Sequence, residues 1–145
     1  MGSGKTTLGQ QLALKQNKRF IDTDSEIERQ QNMSCRQIIE QHGIDYFRSL
    51  ENSLLLNLTR SDLSDTIIAT GGGMPCNNDN LRLMKQHGTV VYLKWTALQL
   101  ATTLSPEDIK ARPRLQNLNP EQLLEFITQD LQQRETYYSQ ADFVI

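Results

Sequence analysis

Apolar and polar positions along this chain switch between two periods, and the switching predicts an α/β fold. Short β-type runs recur at Arg19-Phe20-Ile21-Asp22, at residues 66–70, at residues 89–93 and at Asp142-Phe143-Val144-Ile145. Between them the apolar spacing is helical. Thr7 to Leu14 opens the first such stretch, and residues 25–31 form a second. Ser34-Cys35-Arg36-Gln37 matches a capping box ahead of Ile38-Ile39. Residues 46–60 place Phe47, Leu50, Leu54, Leu55 and Leu58 on one face, residues 78–86 form a helix stopped by Gly88, and residues 96–104 a short one. Asn119 as N-cap with Pro120 in the first turn sets up the last long helix. Strands alternating with helices predict a parallel sheet covered on both faces, a three-layer arrangement. At 145 residues, with no repeat, low-complexity tract or linker, the expectation is one domain over residues 1–145. Residues 105–118 are polar, carry Pro106 and Pro113 and lack an apolar stripe, so they are expected to form a mobile lid anchored at both ends.

The chemistry begins at the first residues. Met1-Gly2-Ser3-Gly4-Lys5-Thr6-Thr7 reads as a phosphate-binding loop opening a helix. Glycines let successive backbone N–H groups turn inward around a polyphosphate, the lysine neutralises it, and the following hydroxyl ligates Mg²⁺. Gly2, Ser3, Gly4, Lys5, Thr6 and Thr7 are therefore the candidate nucleotide-binding residues. The full pattern has another glycine upstream and a strand feeding the loop. The expectation is a chain truncated at its start, with the first strand of the sheet missing. A flexible Gly/Ser start before an ordinary helix is the plainer reading, and Lys-Thr-Thr at the helix opening argues against it.

Composition narrows the partners. A net charge of −2 and a sequence pI near 5.7 give no electrostatic footprint for nucleic acid or an anionic membrane. No apolar run reaches membrane-spanning length. Cys35 and Cys76 are unclustered, which disfavours disulfides and zinc. These features point to a cytoplasmic protein with no nucleic-acid or membrane partner.

Three polar motifs end strands: the phosphate loop, Asp22-Thr23-Asp24 and Gly71-Gly72-Gly73. Ligands of open parallel sheets bind outside the carboxyl ends of strands, so the three converge on one rim. Asp22 and Asp24, two apart at a strand exit, are expected to point the same way. One can hold a metal through water and the other can orient an attacking hydroxyl, or Asp24 can simply cap the next helix. The glycine triplet allows close backbone approach, or merely a turn before Pro75. Arg48 can pair with Glu51 as a surface salt bridge, and Arg134 is equally ambiguous.

The ordered set Gly-Ser-Gly-Lys-Thr-Thr, Asp22-x-Asp24, Phe47-Arg48-x-x-Glu51, Gly71-Gly72-Gly73, Arg112-Pro113-x-Leu115 and Arg134-x-x-x-Tyr138 resembles the shikimate kinases over essentially the whole chain. The resemblance implies a P-loop kinase fold and a monomer that uses ATP and Mg²⁺ to phosphorylate the 3-hydroxyl of shikimate. It implies that Lys5 holds the phosphates, Thr6 the Mg²⁺, and Asp22 supports that metal through water. Asp24 would orient the nucleophile, and Arg48 and Arg134 would clamp the substrate carboxylate. Gly71, Gly72 and Gly73 would offer backbone to the ring, with Gly72 the donor. Arg112 would swing from the lid onto the transferring phosphate, making Lys5, Asp24 and Arg112 the catalytic set. Two departures stand out: residues 102–106 lack the arginine the family places near adenine, and the chain ends before the loop the family uses near the base. Gluconate kinases and nucleoside monophosphate kinases share the core without this set, and a non-catalytic nucleotide-binding module is the remaining alternative.

Overall fold

The computed structural model describes residues 2–77, 79–110 and 112–145. Its contacts cluster into two units, Gly4–Thr89 and Met1–Ser3 with Val90–Ile145.

In the first unit, α1 (Lys5–Gln16) starts at Gly4, whose φ of 73° and lack of any neighbour for a Cβ show that the turn itself demands glycine. β1 (Arg19–Asp22) pairs in parallel with β2 (Thr66–Ala69), in the register Asp22↔Ala69. α1 lies close over β1: a Cβ on Gly9 would stand 2.6 Å from the Phe20 ring. α2 (Thr23–Gln31), α3 (Cys35–His42) and α4 (Ile44–Thr59) then build a core of Ile27, Ile38, Phe47 and Leu54. Complete burial of such a side chain contributes about 1.5–3 kcal/mol, so this cluster fixes how α2 and α4 lie. The expected capping box at Ser34 and Gln37 is present. A 3₁₀ turn, Met74–Cys76, follows the glycines, and α5 (Asn80–His87) closes the unit. The helix expected from residue 78 has its start partly outside the described residues.

In the second unit, β3 (Val91–Tyr92) pairs in parallel with β4 (Phe143–Val144). Both are shorter than the apolar runs suggested. α6 (Ala97–Thr103) and α8 (Pro120–Tyr138) enclose Leu100, Leu104, Leu115 and Ile127. Asn119 caps α8 as expected, in a capping box with Gln122.

Two expectations need correction. Helix α2 begins at Thr23, and its N-cap is Asp22, whose Oδ1 accepts the N–H groups of Asp24 and Ser25 at 3.1 Å each. Asp24 therefore neither caps the helix nor sits on the strand exit; it lies in the first helical turn. The stretch 105–118 is also more ordered than a bare loop. It contains α7 (Pro106–Lys110) and a 3₁₀ turn, Pro113–Leu115, and Leu115 is buried in the core of its unit. Ser105 accepts the Asp108 N–H at 3.1 Å, and Pro106 takes the first helical position, where its missing N–H costs nothing.

Candidate active site

The phosphate loop is built on left-handed glycines: Gly2 has φ 63° and Gly4 has φ 73°. No side chain caps α1, so its first turn keeps the character of an anion site. Thr103 at the end of α6 donates its hydroxyl to the Gly2 carbonyl at 3.2 Å.

Thr6 and Asp22 meet here. The Thr6 hydroxyl donates to Asp22 Oδ2 at 2.7 Å, while Asp22 Oδ1 is taken by the α2 cap. A hydroxyl and a carboxylate oxygen converging beside a helix N-terminus fit a Mg²⁺ that draws its other ligands from phosphates and water. No cluster of three or more protein metal ligands exists among the described residues.

Asp24 turns the other way. Its Oδ1 is buried with no hydrogen-bond partner among the described residues. Burial, then the charge of Asp22, raise its pKa above the ordinary carboxylate value, while Lys5 and Arg48 pull it down. A desolvated carboxylate with unsatisfied acceptor capacity is primed to take a hydrogen bond from a ligand hydroxyl.

The glycine triplet packs directly on the charged groups. A Cβ on Gly71 would lie 2.5 Å from Asp24 Oδ1, and one on Gly73 would collide with the Arg48 guanidinium. The Gly71 N–H is donated to Thr23 Oγ1 at 3.0 Å, a bond buried inside the protein. Asn77 Nδ2 holds the Gly73 carbonyl at 2.6 Å and Asn80 Nδ2 the Met74 carbonyl at 3.0 Å.

Arg48 pairs with Glu51 as its spacing allowed, at 2.5 Å, but not at the surface: Glu51 is 0% exposed. The guanidinium also lies over the Phe47 ring, 5.6 Å from its centroid. Such a pair is a fixed fixture, since neither partner can be removed without stranding charge.

In the other unit, Arg134 on α8 bonds Asp130 at 2.6 Å. Its neighbour Glu135 accepts from Tyr92 Oη at 3.1 Å and Lys94 Nζ at 3.0 Å, tying that end of α8 to β3. Arg112 is half-exposed and held by Asp108, through the carbonyl at 2.8 Å and Oδ1 at 3.0 Å.

Sequence reasoning missed Thr23, Asn77, Asn80, Asp108 and Asp130. For Asp130 and Asp108 the signal was present, an acid four residues before an arginine. For the asparagines and Thr23 there was none, because Thr23 and Asn80 matter through burial and Asn77 through a bond to the Gly73 carbonyl that only folding sets.

The description "Shikimate kinase" belongs to the family model that matches residues 1–145. The chain belongs to the shikimate kinase family. A shikimate kinase of Azobacteroides pseudotrichonymphae genomovar. CFP2 is 38% identical over 144 residues, 99% of this chain and 84% of that protein. Among solved structures, the shikimate kinase of Bacteroides thetaiotaomicron superposes with TM-score 0.89 at 34% identity, over 100% of this chain and 80% of the other. That of Acinetobacter baumannii, in complex with shikimate, gives 0.87 at 36% identity, over 100% and 78%. The α/β fold with parallel strands and flanking helices is thus that of the P-loop shikimate kinases, and the chain is a phosphotransferase of the kinase class. No helix among the described residues is long and apolar enough to cross a membrane.

Proposed function

We propose that this shikimate kinase family member transfers the γ-phosphoryl group of ATP to the 3-hydroxyl of shikimate, acting as a cytoplasmic monomer without nucleic-acid or membrane partners. The observation that carries the reading is the division of labour between two aspartates. Asp22 is committed to the Thr6 hydroxyl and the α2 cap, whereas Asp24 offers a buried oxygen without a partner beside the glycine loop.

Bound Mg²⁺ supplies charge neutralisation and alignment for the polyphosphate. The backbone of residues 2–4, with Lys5, Thr6 and Thr7, would hold the phosphates, and Thr6 and Asp22 would hold the metal, Asp22 through water. Asp24 takes the hydrogen bond, and then the proton, of the attacking hydroxyl. Its raised pKa strengthens it as a base. Arg48, fixed by Glu51, and Arg134 each donate to the substrate carboxylate, a task suited to planar guanidinium forks. Gly72 donates backbone to the ring, Gly71 and Gly73 leave room for Asp24 and Arg48 against the loop, and Arg112 leaves Asp108 to meet the charge on the transferring group.

The test is a coupled ADP-release assay comparing shikimate, gluconate and nucleoside monophosphates. Shikimate-dependent turnover well above the others is expected. Equal turnover with another acceptor sinks the proposal. Arg134→Lys should weaken shikimate affinity and spare ATP affinity in the same assay; the opposite pattern removes Arg134 from the substrate side.

A further inference from the structure

Thr23 stands between the two aspartates and has no part in the scheme above, yet it is 0% exposed. As the first residue of α2 its backbone is set by the Asp22 cap. Its side chain reaches across to the exit of β2, where Oγ1 accepts the Gly71 N–H at 3.0 Å in a buried bond. Gly71 is also where the loop comes nearest to Asp24: a Cβ there would stand 2.5 Å from Asp24 Oδ1 and 2.9 Å from Glu51 Oε1. Two residues on, Gly73 lies as tightly on Arg48. The loop thus touches two of the groups assigned to the substrate, Asp24 and Arg48, and Thr23 is the side chain that ties its first residue to α2.

We infer that Thr23 is a positioning residue for the shikimate side of the site, its hydroxyl seating Gly71 against Asp24 and so fixing where the loop meets Asp24 and Arg48. The inference rests on the function proposed above. Losing this acceptor strands a buried N–H, which the loop relieves only by moving toward water. That movement opens the space beside Asp24 and loosens Arg48. The loss falls first on the shikimate side, because the bonds of Asp22 to Thr6 and to the α2 cap use no atom of the Thr23 side chain.

Thr23→Val keeps shape and removes the acceptor; Thr23→Ser keeps the acceptor. In steady-state assays on the full chain, valine should raise the shikimate KM and lower kcat by up to about 10²-fold, the scale of a small misplacement of catalytic groups. The ATP KM should hold, and serine should restore most of the loss. Native kinetics in the valine variant, an equal rise in both KM values, or failure of serine to rescue would overturn the inference. Hydrogen exchange on the unaltered chain is a second reading that needs no variant to fold. The Gly71 amide should be protected before shikimate is added, and rapid exchange there also overturns it. If the unaltered chain turns over no shikimate while Gly71 is protected, the proposed function has failed and takes this inference with it, a result distinct from a valine variant with native kinetics.

Discussion

Two arginine–carboxylate pairs of the same chemistry sit in the two units of this molecule, and their surroundings give them opposite uses. Arg48–Glu51 closes within α4, beside the glycine loop, at 2.5 Å, with the Glu51 side chain 1% exposed. Arg112–Asp108 closes at 3.0 Å with side chains 37% and 39% exposed. The first cannot open without leaving a carboxylate in a low-dielectric interior, so it acts as architecture. The second has water on both partners and contributes little, so Arg112 can exchange Asp108 for a better anion at small cost. A sequence places both arginines in helix-spaced pairs; only burial separates a fixed arm from a movable one.

The buried side should break hardest at Asp24, which shares the Gly71 wall with Glu51. Asp24→Asn should lower turnover by ~10²–10⁴-fold, the range of general-base contributions. It should also stabilise the fold. Because the native pKa is raised, the folded state binds more protons than the unfolded one between the ordinary carboxylate range and the native value. Stability therefore falls as pH rises through that window. A neutral amide escapes that loss. Thermal unfolding should find the variant more stable than the native chain near neutrality and indistinguishable in acid; a variant less stable at neutral pH would mean burial of Asp24 is no burden.

Arg48→Met comes next. Stranding the Glu51 carboxylate should cost about 3–5 kcal/mol of unfolding free energy, toward the lower end because Arg48 keeps some contact with solvent. Urea titration reads this directly, and a cost below about 1 kcal/mol would reduce the pair to the surface class.

Arg112→Ala should show the converse profile. Removing a preorganised donor costs on the order of 2.7–4 kcal/mol of transition-state stabilisation. Unfolding free energy should change by only about 0.2–1 kcal/mol, the worth of an exposed pair. Steady-state kinetics paired with denaturation separates the two; equal losses in both would make Arg112 structural.

The smallest effect belongs to Asp108→Asn, which loosens the hold on Arg112 without touching the buried pair. Stability should move by less than about 1 kcal/mol, and that difference should vanish in high salt. A salt-insensitive loss would place the Arg112–Asp108 pair in the same class as Arg48–Glu51.

Where the sequence was readable, a local rule and the tertiary outcome agreed. Ser34 with Gln37 and Asn119 with Gln122 were recognisable capping boxes because the spacing alone defines them. The start of α2 was misplaced because Asp22, Asp24 and Ser25 are all good caps, and only the strand register, ending at Asp22↔Ala69, selects the first. Ser105 and Pro106 read as loop residues although they cap and open α7. Leu115 looked isolated in a polar stretch, and its partners Leu100, Leu104 and Ile127 are distant in the chain. In the candidate site, the ordered resemblance to the shikimate kinases nominated Asp24, Arg48 and the glycines, whereas Arg48 read by itself stayed ambiguous with its Glu51 pair. The contacts that hold them, Thr23 to Gly71 and Asn80 to Met74, depend on elements brought together only by folding.

Asp22 has two oxygens and spends each on a different task. Oδ2 takes the Thr6 hydroxyl, and Oδ1 holds the first turn of α2, which carries Asp24. On the assignment proposed above, a cation held by Thr6 would draw on the carboxylate that also sets this turn. The two ligands of the enzyme would then be joined by thermodynamic linkage. Whatever factor the metal–nucleotide adds to shikimate affinity, shikimate adds to nucleotide affinity, and such factors commonly span about 5–150-fold. The order in which the two arrive becomes a matter of rates alone, and neither affinity has a single value until the occupancy of the other site is stated.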